Sequence, residues 1–98
     1  MYSIELSELA VEQLEKTKVF DQNRILDEIE KQLTREPTRK TKRKKILKGL
    51  KPPWLQAEPV WQLRIGDYRV FYDVDPKLET VTVHAVLYKG SKTTGEIL

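Results

Sequence analysis

Two arginines, Arg64 and Arg69, stand five residues apart around a Gly66-Asp67 pair, inside the stretch VWQLRIGDYRVFYDV (residues 60–74). Apolar residues alternating on both sides of a Gly-Asp pair predict two strands joined by a two-residue turn. That turn sets a register with Ile65 opposite Tyr68, Arg64 opposite Arg69, Leu63 opposite Val70, Gln62 opposite Phe71 and Trp61 opposite Tyr72. Like charges directly across a sheet repel, so the arginine pair calls for compensation. One source is an anion held between them, because the guanidinium is always charged and its planar fork of donors suits a phosphate. The other is a carboxylate of the chain itself: Asp73, Asp67 or a glutamate from elsewhere. The opposite face of the same two strands, from Trp61 through Tyr72 to Val74, is continuously apolar and has to be covered by another part of the chain.

The remaining chemistry is bounded by what the composition lacks. With no cysteine among 98 residues, disulfides, thiolate metal sites and a cysteine nucleophile are excluded. A single histidine, His84, makes a histidine-based metal site or a Ser-His-Asp triad implausible, and no metal or cofactor is expected. His84 is nevertheless the one side chain whose unperturbed pKa suits proton transfer near neutral pH. It lies in mid-strand on a parity that could bring it to the face of the arginines, although a lone strand histidine is more often structural.

The net charge of +3 conceals a strong asymmetry. Residues 1–36 hold 5 basic and 9 acidic side chains, residues 37–57 hold 8 basic and none acidic, and residues 58–98 hold 5 and 6. The net values of −4, +8 and −1 return the total, and the positive charge is concentrated in one segment. Such a segment points to a polyanionic partner, either nucleic acid or an acidic protein surface, or else serves as a solubilising loop. No run reaches transmembrane length and the start of the chain lacks a signal-peptide pattern, so a cytoplasmic protein without a membrane partner is expected.

The elements that would position these residues follow from periodicity. Tyr2 to Leu6 alternates as a short edge strand. Ser7 can cap a helix over about Glu8–Lys18, with Ala10, Leu14 and Val11 on one side and Glu8 at its positive end. Asp21 can cap a second helix to about Arg35, whose stripe is Gln22, Ile25, Leu26, Ile29 and Leu33, and Pro37 ends it. Residues 38–57 read as an exposed basic loop with only Ile46, Leu47 and Leu50 to bury, while Trp54 and Leu55 either tack its end to the core or present an aromatic surface to a partner. After the hairpin, Asp75-Pro76-Lys77 makes a turn and Thr80 to Tyr88 alternates as a third strand, with Val81, Val83, Ala85 and Leu87 on one face. A basic loop from Lys89 to Thr94 follows. The expected class is α+β, one domain over 1–98: a short first strand, an antiparallel helical hairpin, and an antiparallel sheet of three further strands beneath it.

This order, with LRIGDYRVFYDVD (63–75) and VTVHAVLYKG (81–90), resembles the RelE/ParE superfamily of toxins from bacterial type II toxin–antitoxin pairs over nearly the whole chain. The resemblance implies a RelE-like fold, a cognate antitoxin, a toxin–antitoxin complex on operator DNA, and one of two toxic mechanisms. RelE-like members enter the ribosome and cut messenger RNA; ParE-like members inhibit DNA gyrase and are not nucleases. A third reading is an inactive toxin fold that only binds antitoxin or operator. In the ribonuclease reading the ribose 2′-hydroxyl attacks the adjacent phosphate. Arg69, matching the family's arginine after the turn, and Arg64, on the preceding strand, would stabilise the phosphorane. The basic residue after the last strand is matched by Lys92 or Lys89, with Lys92 taken as the assisting cation. Gln62 stands where the family has a lysine, and Leu98 where RelE has its terminal tyrosine, so either Tyr88 or His84 replaces that tyrosine, or the cleavage is weak, or the activity is of another kind. The basic loop would supply the phosphate contacts to RNA through Arg39, Lys40, Lys42, Arg43, Lys44 and Lys45, extended by Lys48, Lys51 and Lys89.

Overall fold

The structure is a computed structural model that describes residues 1–49, 52–54 and 59–98. Its elements run β1 (Ser3–Leu6), α1 (Glu8–Glu15), α2 (Val19–Leu33), β2 (Lys44–Ile46), β3 (Trp61–Ile65), β4 (Tyr68–Asp75), β5 (Thr80–Tyr88) and α3 (Thr94–Ile97). They form an α+β fold around one five-stranded sheet ordered β1-β5-β4-β3-β2, in which β1 runs parallel to β5 and the other pairs are antiparallel. The central hairpin has the register that its two-residue turn dictates, including Arg64 across from Arg69. Gly66 supplies the positive φ of 57° that such a turn needs.

Ser7 caps α1 by accepting from the Ala10 N–H at 3.1 Å. The helix ends at Glu15, earlier than Lys18, and α2 starts at Val19 with Asp21 inside its first turn instead of at the cap. The short junction is tied by Gln22 Nε2, which donates to the Thr17 carbonyl at 2.6 Å. Ala10 and Leu14 of α1 and Ile25, Ile29 and Leu33 of α2 pack on Trp61, Leu63, Ile65, Val70 and Tyr72 to make the principal core. Each fully buried aliphatic side chain there contributes roughly 1.5–3 kcal/mol. Val11 and Leu26 lie at the margins of their stripes and stay exposed. Tyr72 closes the core by donating its hydroxyl to the Pro37 carbonyl at 2.6 Å, which holds the chain leaving α2 against the sheet.

Three features depart from the expected layout. First, the basic segment is not loop throughout: β2 adds to the outer edge of β3, satisfying backbone groups that an edge strand would leave open. Its alternation turns Ile46 and Lys44 toward the helices. Lys44 is only 3% exposed, and its ammonium donates to the Gln32 carbonyl at 3.0 Å and the Glu36 carbonyl at 2.8 Å. It therefore satisfies backbone at the end of α2, where cations are favoured. Burial lowers its pKa below the ordinary lysine value.

Second, β5 carries a bulge. Phe71 faces Ala85 but Tyr72 faces Val83, so His84 is the extra residue and the alternation inverts there. Val81 and Val83 belong to the helix-covered core, whereas Ala85 and Leu87 pass to the other face and Val86 takes their place. Beyond the end of β1, α1 completes the pairing of this edge: Ser7 Oγ donates to the His84 carbonyl at 2.9 Å and Gln13 Oε1 accepts from Val86 N–H at 2.6 Å.

Third, the chain after Gly90 is not all loop. Thr93 and Glu96 form a reciprocal capping box for α3, and Ile97 and Leu98 join a second apolar cluster of Val60, Phe71 and Ala85 on the face away from α1 and α2. Trp54 packs there with its ring 5.6 Å from that of Phe71, so it does tack the end of the basic segment to the sheet. Leu50, Lys51 and Leu55 lie outside the described residues.

Candidate nucleic-acid interface

The site is built on the sheet face opposite α1 and α2, beside the second apolar cluster. The pairing of β2 with β3 continues one step beyond the strand end, where Arg64 N–H donates to the Arg43 carbonyl at 2.8 Å. Arg43, Arg64 and Arg69 thus form one row across three neighbouring strands, about 4.8 Å apart at the backbone. A pair of like charges has become three. Among the described residues no carboxylate comes within ion-pair distance of Arg64 or Arg69. Arg69 spends one nitrogen on the turn, Nη1 donating to the Gly66 carbonyl at 2.9 Å and the Tyr68 carbonyl at 2.8 Å. Burial, and after it the neighbouring Arg64 charge, lower its pKa from the ordinary arginine value, against a smaller opposing effect of Asp67.

Lys45 stands across from Gln62 in the next row. Together with Lys42, Arg43, Arg64, Arg69 and Lys89 it lines an open cavity of about 370 Å³ that contains six cations and no carboxylate. Gln62 and the threonines at the start of α3 complete the wall. Thr94 Oγ1 donates to Gln62 Oε1 at 3.2 Å, so the Gln62 amide nitrogen is the donor this side chain can offer the cavity. Chemically, such a site holds an anion rich in oxygen acceptors and stabilises added negative charge on it. Its walls, among the described residues, carry no imidazole, phenol or carboxylate to accept a proton.

Residues expected to work together are therefore divided. Arg64, Arg69, Lys89, Lys42, Arg43 and Lys45 converge. Lys44, expected among the RNA contacts, is instead buried under α2 and does not line this cavity. Arg39 pairs with Glu36 at 2.9 Å, and Lys40 and Lys48 are exposed outside the cavity. Between the two basic residues after the last strand it is Lys89, not Lys92, that lines the cavity. His84 does not join the arginines: it is 4% exposed, and its Nε2 lies 2.6 Å from Asp73 Oδ2. That pairing also removes Asp73 as a partner for the arginines. Tyr88 is across from Tyr68, whose hydroxyl donates to Asp21 of α2 at 3.2 Å, and the two rings meet edge-on at 5.5 Å. It is thus on the helix side of the sheet and cannot replace a tyrosine at the arginine row. In the sequence Arg43 is one basic residue among many; its place in the row follows from the pairing of β2 with β3, a three-residue strand that the charge of the segment hides.

Residues 4–91 match the family described as ParE toxin of the type II toxin–antitoxin system parDE. The chain belongs to this ParE toxin family. No protein of curated function matches its sequence. The fold of this ParE-family toxin is similar to that of the archaeal RelE–RelB complex from Pyrococcus horikoshii, with TM-score 0.70 and 22% identity over 92% of this chain and 97% of the other. The isolated RelE toxin of E. coli matches with TM-score 0.67 and 18% identity, covering 96% and 89%. The RelBE2 toxin–antitoxin complex of Mycobacterium tuberculosis matches with TM-score 0.65 and 23% identity, covering 90% and 98%. Among the described residues no helix is long and apolar enough to cross a membrane.

Proposed function

We propose that this toxin inhibits translation by cutting ribosome-bound messenger RNA, and that the open cavity over the arginine row holds the scissile phosphate. The observation that carries the reading is the convergence of six cations, Arg64 and Arg69 among them, on an open-face cavity whose described lining holds no carboxylate. In the reaction the ribose 2′-oxygen bonds to the adjacent phosphorus, its proton leaves, the P–O5′ bond breaks and the 5′-oxygen gains a proton. The phosphorane gains negative charge on its way, and preorganised guanidinium groups stabilise it more than they stabilise the ground state. Lys45 stands across from Gln62, so the ammonium missing from β3 is supplied by the neighbouring strand and is the donor for the leaving oxygen. The proton of the 2′-hydroxyl goes to solvent or to the ribosome. RelE toxins of similar fold form complexes with RelB, and we extend an antitoxin partner to this chain, the complex being the form that would meet operator DNA.

Primer extension on messages translated in vitro with the purified chain tests the proposal. Cuts that require ribosomes are expected, and Arg69→Ala should slow them by roughly 10²–10³-fold, the usual loss for one oxyanion-stabilising donor. Arg64→Ala with Arg69→Ala should abolish growth inhibition while the variant stays folded. Gyrase inhibition is the second reading, favoured by the family match and by a cavity without a proton acceptor. Loss of DNA supercoiling with no cuts would establish it in place of the first, and silence in both assays would leave an inactive antitoxin-binding fold.

A further inference from the structure

The hairpin turn has a cation on its other side that this mechanism does not use. Arg24 of α2 lays its guanidinium against Gly66: a β-carbon there would stand 2.9 Å from Arg24 Nη2 and 3.0 Å from Nη1. Glycine therefore serves both the positive φ of the turn and the close approach of this arginine. Arg24, Arg43, Arg64 and Arg69 line an open cavity of about 540 Å³, with Glu28 and Asp67 as the carboxylates in its wall. Four positive and two negative side chains leave it at +2. Glu28 is already engaged, its Oε2 lying 3.4 Å from Arg43 Nη1 and its Oε1 4.0 Å from Lys31. Among the described residues Arg24 has no carboxylate within ion-pair distance.

We propose that this turn-side cavity is a second phosphate site, which takes a backbone phosphate neighbouring the one held in the open-face cavity. The inference rests on the RNA reading above. Both cavities share Arg43, Arg64 and Arg69, so the arginine row is a ridge with an anion site on each side. A ligand that fills both is a chain of closely spaced anions, which a single-stranded nucleic acid is. A protein interface is centred on buried apolar anchors, and among the described residues Ile65 is the only apolar side chain lining the turn-side cavity. Arg24 acts here as a binding residue that sets the path of the RNA, and Glu28 competes with the phosphate for Arg43.

The test is fluorescence anisotropy of a single-stranded RNA decamer with the full chain across a salt series. Arg24→Gln should weaken binding about tenfold at low salt, the size of one charge-assisted contact, and reduce the slope of log K against log salt by about 0.7. Arg24→Lys should keep the slope, and Glu28→Gln should tighten binding several-fold, a gain that misfolding cannot produce. If Arg64→Ala with Arg69→Ala weakens binding but Arg24→Gln and Glu28→Gln equal wild type, the second site is overturned and the first survives. RNA binding indifferent to Arg64 and Arg69 would instead remove the RNA reading and this site with it. Arg24-dependent binding of a polyglutamate peptide, without an effect of Arg24 on RNA, would assign the cavity to an acidic protein.

Discussion

Neighbouring lysines in the basic segment have opposite fates, and the difference is set by strand alternation. Lys44 points to α2 and satisfies two backbone carbonyls, while Lys45 points to the cation-lined cavity. Lys44→Met should therefore cost about 1–3 kcal/mol in urea unfolding, the penalty for leaving buried acceptors unpaired. Lys45→Met should stay within about 0.5 kcal/mol of wild type in the same measurement yet weaken RNA binding. Equal stabilities would show that Lys44 is not held as described. Arg69 illustrates the same point from the electrostatic side: burial and the Arg64 charge lower its pKa from the ordinary arginine value, and a bound phosphate would offset the repulsion from Arg64.

At the scale of elements, β4 links the core to the site, because Arg69 lies near its start and Tyr72 in its middle, on opposite faces of the sheet. Tyr72 is fully buried and donates to Pro37, and burial raises its pKa well above the ordinary tyrosine value. The neutral form is favoured in the folded state, so the stability it contributes is complete below the unfolded pKa of about 10. As pH rises past that value the unfolded chain loses the proton first, and stability falls until the folded-state pKa is reached. Urea unfolding followed from pH 8 to 11 should show this alkaline loss in wild type and a shallower one in Tyr72→Phe. Tyr72→Phe should also be about 1 kcal/mol less stable at pH 8 through loss of the hydrogen bond. An unchanged alkaline slope would mean that other groups dominate it. The bulge in β5 is the second element-level device: by inserting His84 it sends Ala85 and Leu87 to the face where Phe71, Trp54 and α3 form the wall beside the cavity.

On the scale of the whole molecule, the positive charge is concentrated in the middle segment of the sequence, residues 37–57. Its contribution to RNA binding should be salt-dependent, with log K falling as salt rises by about 0.7 for each phosphate contact on a single strand. Replacing Lys42 and Lys45 by glutamine should lower that slope by about 1.4 in an anisotropy titration, whereas Arg39→Gln, removing a charge already paired with Glu36, should leave it nearly unchanged. A salt-insensitive interaction would exclude backbone phosphate as the ligand. The amino-acid sequence by itself determined the hairpin, its register, the paired arginines and the helical stripes of Ile25, Ile29 and Leu33, because each is set by period and turn chemistry within a few residues. It also carried the family, through motifs that lie inside those same strands. Only the tertiary structure decided which basic residues meet. Arg43 and Lys45 reach the site through a three-residue strand whose pairing depends on β3, and Arg24 reaches the turn from another element altogether. His84 and Tyr88 leave it because a bulge and a cross-strand partner fix their faces. Those outcomes depend on contacts between residues distant in the chain, and no local spacing encodes them.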